Sequence, residues 1–121
     1  MNASLLAKSG YSTATRSTRT AEAAEYDAFA RITSALQKAE TTVERVTALQ
    51  RNRDLWSLLA TDVAGKDNKL PPALRAQIFY LAEFTSKHTS KVLRDEAETD
   101  ILVEINTSIM RGLRQQRDMV A

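Results

Sequence analysis

The sequence predicts an all-α protein, a small bundle of three to four helices with a flexible N-terminal segment. Its 121 residues include only three glycines and two prolines, too few for the many turns of an all-β fold. Apolar residues recur at alternating spacings of three and four, which places them on one face of a helix. A chain of this length forms one domain. We expect it to span residues 19–117, and we expect residues 1–18, rich in Ser, Thr and Ala without an apolar period, to be flexible.

The first predicted helix begins near Thr18, where acidic residues in the early turns favour the positive end of a helix dipole. Its apolar seam comprises Phe29, Ile32, Leu36, Ala39, Val43 and Val46. After Val46 the seam slips by one residue, and a second seam comprises Leu49, Asn52, Trp56, Leu59 and Val63. One continuous helix through both would be ~65 Å long, whereas a domain of this size is only ~35 Å across. Thr41 and Glu44 have capping-box spacing, so we predict a break near Thr41.

Two further helices follow. Gly65 is predicted to cap the second helix, and Pro72 suits the first position of the next one, which runs to about Arg94. A last helix runs from about Asp100 to Gln116, with a seam of Leu102, Ile105, Ile109 and Leu113. The helix from Pro72 has a mostly apolar side and an opposite polar side. The apolar side carries Leu74, Ile78, Leu81, Ala82, Thr85 and Val92, and the polar side carries Glu83, Lys87, Ser90 and Arg94. Phe79 and Tyr80 flank the polar side.

Nothing in the sequence predicts an enzyme, a cofactor or a metal site. There is no cysteine, the single histidine is His88, and no glycine-rich phosphate loop occurs. A lone histidine without a nucleophile or a second ligand at helical spacing is more often structural than catalytic. No apolar run is long enough for a signal peptide or a membrane span, so we expect no membrane insertion and a cytoplasmic location.

Two interpretations apply to the large apolar residues. Trp56 lies on a seam, which favours core packing, although tryptophan is also a common anchor at protein interfaces. The helix from Pro72 either packs on two neighbours or presents a groove to a partner. The candidate partner-binding residues are Trp56, Leu59, Leu70, Arg75, Ile78, Phe79 and Tyr80.

Several short patterns, taken in order along nearly the whole chain, resemble the FlaF family of flagellar biosynthesis regulators. Their residues are Tyr11, Arg19, Glu22, Phe29, Ala48, Leu49, Asn52, Leu55, Trp56, Leu70, Pro71, Leu74, Arg75, Ala76, Ile78, Ile105, Asn106, Ile109, Gly112 and Leu113. The resemblance implies a cytoplasmic helical protein that binds unassembled flagellin as an export chaperone and promotes flagellin synthesis and secretion. It also implies a link to the opposing regulator FlbT and to the flagellar export apparatus.

A nucleic-acid partner is the alternative function, as an RNA-binding regulator of flagellin expression. Arg111, Arg114 and Arg117 would contact the RNA together with the basic N-terminus. RNA recognition usually adds aromatic side chains beside the basic groups, and the sequence places none next to these arginines. The net charge of +2 is also small. Both observations favour flagellin over nucleic acid.

Overall fold

The computed structural model describes residues 14–120, and it describes side chains for residues 26–115 and for Asp118. Four helices account for most of this range: α1 (Ala14–Lys38), α2 (Thr42–Ala64), α3 (Pro72–Leu93) and α4 (Asp100–Val120). Residues 14–120 contain no strand, so the all-α prediction is confirmed. Helix α1 begins four residues before Thr18 and α4 ends four residues after Gln116. Of the segment predicted to be flexible, residues 1–13 lie outside the described residues, and the domain boundary stays a prediction.

The predicted break at Thr41 is confirmed, and a capping box makes it. Thr41 has an extended backbone, and its hydroxyl accepts a hydrogen bond from the backbone N–H of Glu44 at 3.1 Å. In return the Glu44 carboxylate accepts from the backbone N–H groups of Glu40 and Thr41, each at 3.1 Å. These two donors are the main reason that the pKa of Glu44 lies below its ordinary value. The free N–H groups at the start of α2 are therefore satisfied locally.

The break also corrects one sequence prediction. Val43 and Val46 were expected to continue the first seam, but Val43 is 75% exposed and Val46 is exposed as well. The prediction is wrong because the chain reverses at Thr41, so the register of α1 does not extend into α2. The buried face of α2 instead comprises Ala48, Leu49, Asn52, Leu55, Trp56, Leu59 and Val63.

The helices form an up-and-down bundle. Helix α1 packs against α2 and α4, and α3 packs mainly against α2 with fewer contacts to α4. One core cluster joins Leu36, Ala48, Leu49, Val92 and Leu102. Because these residues come from the end of α1, the start of α2, the end of α3 and the start of α4, successive helices run in opposite directions. The other, larger cluster contains Ala28, Phe29, Leu55, Trp56, Leu59, Val63, Ile78, Ile105, Ile109 and Leu113.

A buried polar network crosses the larger cluster. The Trp56 indole N–H donates to the Asn106 side-chain oxygen at 2.8 Å. The Asn106 amide nitrogen donates to the Asn52 side-chain oxygen at 2.7 Å and to the Thr33 hydroxyl at 3.1 Å. Trp56 also meets the ring of Phe29 edge to face, with centroids 5.5 Å apart. Since Trp56 is only 1% exposed, the interpretation of Trp56 as a core residue is confirmed.

Replacing Asn106 tests this network. We expect Asn106→Ala to lower the free energy of unfolding by about 2–4 kcal/mol, because a buried indole N–H and two further polar groups lose their partner. Thr107→Ala on the same helix is the control, since the Thr107 side chain is exposed and bonds only to the Val103 carbonyl of its own helix. It should change stability by less than about 0.5 kcal/mol. Urea unfolding of both variants gives the comparison, and equal losses would contradict a role for the network.

Candidate partner-binding surface

The candidate partner-binding residues divide into a buried group, a half-buried pair, Leu70 and Arg75, and an exposed pair. Trp56, Leu59 and Ile78 are at most 2% exposed and belong to the core. Leu70 is half-buried and packs against the same core cluster. Phe79 and Tyr80 are 47% and 67% exposed. Only this last pair is largely available to a partner without rearrangement.

The exposure of this pair follows from the way α3 packs. Ile78, Thr85 and Val92 are buried, and Leu74, Leu81 and Ala82 pack against the larger core cluster. The predicted apolar and polar sides of α3 are therefore confirmed, except that Ser90 on the polar side is not fully exposed. Ser90 is half-buried because Arg53 of α2 donates to its hydroxyl at 2.9 Å.

A groove lies beside Phe79, at the end of α2 and the start of α3. It has a volume of about 250 Å³ and is lined by Val63, Pro72, Arg75, Ala76 and Phe79. Its walls are mostly apolar. A groove of this kind accepts an apolar side chain from a partner more readily than a flat helix surface does.

Arg75 forms one wall of the groove and closes the end of α2. Its Nε donates to the Val63 carbonyl oxygen at 2.9 Å, and its Nη2 donates to the Gly65 carbonyl oxygen at 3.1 Å. Gly65 is the C-cap of α2, as predicted, but its backbone is extended, with φ at −72°. The end of α2 is therefore satisfied by an arginine from the next helix rather than by a glycine in the left-handed conformation.

Phe84 extends the exposed aromatic surface by one turn beyond Tyr80. It is 38% exposed and stacks on His88, with ring centroids 5.5 Å apart. The His88 Nε2–H donates to the Glu98 carbonyl oxygen at 2.8 Å, which joins α3 to the connection before α4. This contact gives the single histidine a structural role. The sequence reading did not single out Phe84 as exposed, although its spacing of four from Tyr80 was the signal for it.

The C-terminal arginines lie at a different place in the bundle. Arg111 and Arg114 are exposed on α4, and the side chain of Arg117 lies outside the described residues. Arg114 donates to the Tyr26 hydroxyl, and its guanidinium lies 5.4 Å from the centre of the Tyr26 ring. The expectation of no aromatic beside these arginines is wrong, because packing of α1 on α4 brings Tyr26 there. Arg114 covers this ring, so the pair is a contact between helices and not a free platform for a base.

Other kinds of site find no support in the part of the chain that is described. The described side chains, those of residues 26–115 and Asp118, include no group of three His, Cys, Asp or Glu that could hold a metal ion. No helix within residues 14–120 is long and apolar enough to cross a membrane. We take the exposed aromatic residues of α3 and the adjoining groove as the candidate functional surface.

Replacing Arg75 tests whether it holds the two helices together. We expect Arg75→Ala to cost about 1–2 kcal/mol of stability, since two carbonyl groups at the end of α2 lose a charged donor. Arg75→Lys should recover only part of the loss, because an ammonium group lacks the fork that reaches both oxygens. The control is Arg51→Ala, which removes an exposed arginine of α2. Thermal unfolding measures all three, and an unchanged Arg75→Ala would disprove the capping role.

No curated protein and no solved structure matches the chain. The sequence model of one family, described as flagellar protein FlaF, matches residues 7–113. This range covers most of the 121 residues and includes α2 and α3, which form the groove. The chain belongs to the FlaF family of flagellar proteins.

Proposed function

We propose that this protein binds unassembled flagellin in the cytoplasm as an export chaperone and so promotes flagellin synthesis and secretion. The observation that carries the proposal is the α3 aromatic surface, defined as Phe79, Tyr80 and Phe84, which is exposed beside a groove. Membership of a flagellar protein family supports flagellin as the partner. The regulator FlbT and the export apparatus are further proposed partners in the same pathway.

Flagellin presents a physical problem that such a surface addresses. Its terminal segments become stable helices in the filament, where their apolar stripes are covered by neighbouring subunits. In free flagellin these stripes are exposed and favour aggregation. An amphipathic helix binds by laying its apolar face into a groove or against exposed aromatic side chains. The α3 aromatic surface can therefore cover one apolar stripe until export.

The affinity expected from this arrangement is moderate. A segment that folds only on binding loses conformational entropy, which offsets part of the contact energy. The surface is also small, three aromatic side chains and one groove of about 250 Å³. Moderate affinity suits a chaperone that must release flagellin to the export apparatus.

The core residue Trp56 and the proposed binding residues Phe79 and Tyr80 are separate in this structure, so variants can test folding and binding separately. Trp56→Ala should lower the free energy of unfolding by about 3–5 kcal/mol, because it empties a large buried site. The double variant Phe79→Ser and Tyr80→Ser should keep its stability and lose about 2 kcal/mol or more of flagellin binding. Val43→Ser with Val46→Ser is the matched control, since it removes two exposed apolar residues from α2. Melting curves and flagellin titrations give both quantities.

The outcome that contradicts the proposal is a Phe79/Tyr80 variant that binds flagellin as tightly as the unchanged protein. A stable Trp56→Ala variant that no longer binds would place the binding site at Trp56 instead.

Salt distinguishes flagellin binding from the RNA alternative. A mainly apolar contact should lose less than about tenfold in affinity between 50 and 200 mM salt, whereas several phosphate contacts would lose ~10³-fold or more. The measurement is a flagellin titration across this range, with and without nuclease treatment. A steep loss with salt, together with RNA that purifies with the protein, would favour RNA and would make Arg111 the next residue to replace.

A further inference from the structure

A line of exposed side chains along α3, the α3 stripe, is apolar in the first half of the helix and basic in the second. At about 100° per residue, one line along the exposed side carries Ala73, Ala76, Tyr80 and Phe84, followed by Lys87 and Lys91. All six residues are exposed. The first four form an apolar half and the two lysines a basic half. The midpoints of the Tyr80–Phe84 and Lys87–Lys91 pairs are seven residues apart, about 10 Å or two helical turns.

We infer that the flagellin segment bound by α3 is an amphipathic helix whose apolar stripe is followed, about two turns further along, by carboxylates that pair with Lys87 and Lys91. This inference rests on the proposed function, since it specifies which kind of flagellin segment the surface accepts. It adds a charge requirement, and the end of the segment that carries the carboxylates then sets the direction in which the helix binds.

Two ion pairs near the end of α3 leave both lysines out. Arg94 bonds to Glu96 at 3.1 Å, and Arg45 lies 3.5 Å from Asp95. The pKa of Glu96 is lowered chiefly by its hydrogen bond from Arg94 and then by the charge of Arg94, with a smaller effect of Lys91.

Among the described side chains, neither Lys87 nor Lys91 makes an ion pair. Glu83, one turn before Lys87, is exposed beside the stripe, so the stripe as a whole keeps an excess of positive charge.

A second copy of the chain fits this stripe poorly. If two α3 helices paired in parallel, the lysines of one copy would face the lysines of the other and repel them. If they paired antiparallel, the lysines would lie against the apolar half of the other copy, where Glu83, the single acidic residue of α3, cannot pair with both lysines. A partner with an apolar stripe and then acidic residues satisfies both halves. The charge pattern of α3 therefore favours an acidic partner helix over self-association.

Charge reversal on α3 tests the inference. At 0.1 M salt we expect Lys87→Glu with Lys91→Glu to weaken flagellin binding about tenfold, because each attraction between opposite charges becomes a repulsion between like charges. Lys87→Gln with Lys91→Gln should give an intermediate loss. Lys66→Glu with Lys69→Glu is the matched control, because it makes the same change in net charge on exposed lysines of the α2–α3 connection. This control should bind within about twofold of the unchanged protein.

A compensating change in flagellin completes the test. Truncation identifies the bound flagellin segment, and replacing its acidic residues by lysine should restore binding to the Lys87→Glu and Lys91→Glu variant. Unchanged binding by that variant, while the Phe79/Tyr80 variant fails, would overturn the acidic-helix inference and leave the flagellin proposal standing. Absence of flagellin binding by the unchanged protein would overturn both. A dimer that dissociates in the lysine variant would identify a second copy as the occupant and would also overturn the inference.

Discussion

The hydrogen bonds of the Asn106 side chain constrain the whole bundle. Apolar contacts between helices tolerate small shifts and rotations. A hydrogen bond in a low-dielectric core does not, because its donor and acceptor must stay at one distance and angle. Asn106 of α4 accepts from Trp56 and donates to Asn52, both of α2, and it also donates to Thr33 of α1. These bonds therefore fix the positions of α1, α2 and α4 relative to one another along the bundle. A shift of any of them would leave buried polar groups without partners, at a cost of about 1–3 kcal/mol each.

The position of α2 in turn determines what α3 shows to solvent. Arg75 anchors the start of α3 to the last carbonyl groups of α2, and Arg53 of α2 donates to Ser90 near the other end of α3. With both ends held, Ile78 points into the core and residues on the opposite side, including Tyr80, point outward. The α3 aromatic surface is thus a consequence of the way in which α3 packs against α2.

Local signals in the sequence predicted much of this fold. The break at Thr41, the start of α3 at Pro72 and the buried seam of α4 all depend on residues within a few positions of each other. The features that could not be predicted depend on distant residues. Arg75 of α3 caps the end of α2, on the other side of the α2–α3 connection. Tyr26 and Arg114 are in contact although they are 88 positions apart in the sequence. For the same reason the sequence proposed seven candidate binding residues, whereas the fold leaves only the Phe79 and Tyr80 side chains largely exposed.

The separation of the core residues from the exposed aromatic residues of α3 also affects how a bound partner could be released. If a partner bound through Trp56, binding would require part of the core to open, and release of the partner would be coupled to refolding of the bundle. Phe79, Tyr80 and Phe84 are exposed in the folded bundle, so a partner can bind and leave while the Asn106 network stays intact. The ordering cost then falls on the partner segment alone. Under the proposed function, the folded bundle can therefore bind an unstructured segment and release it without unfolding itself.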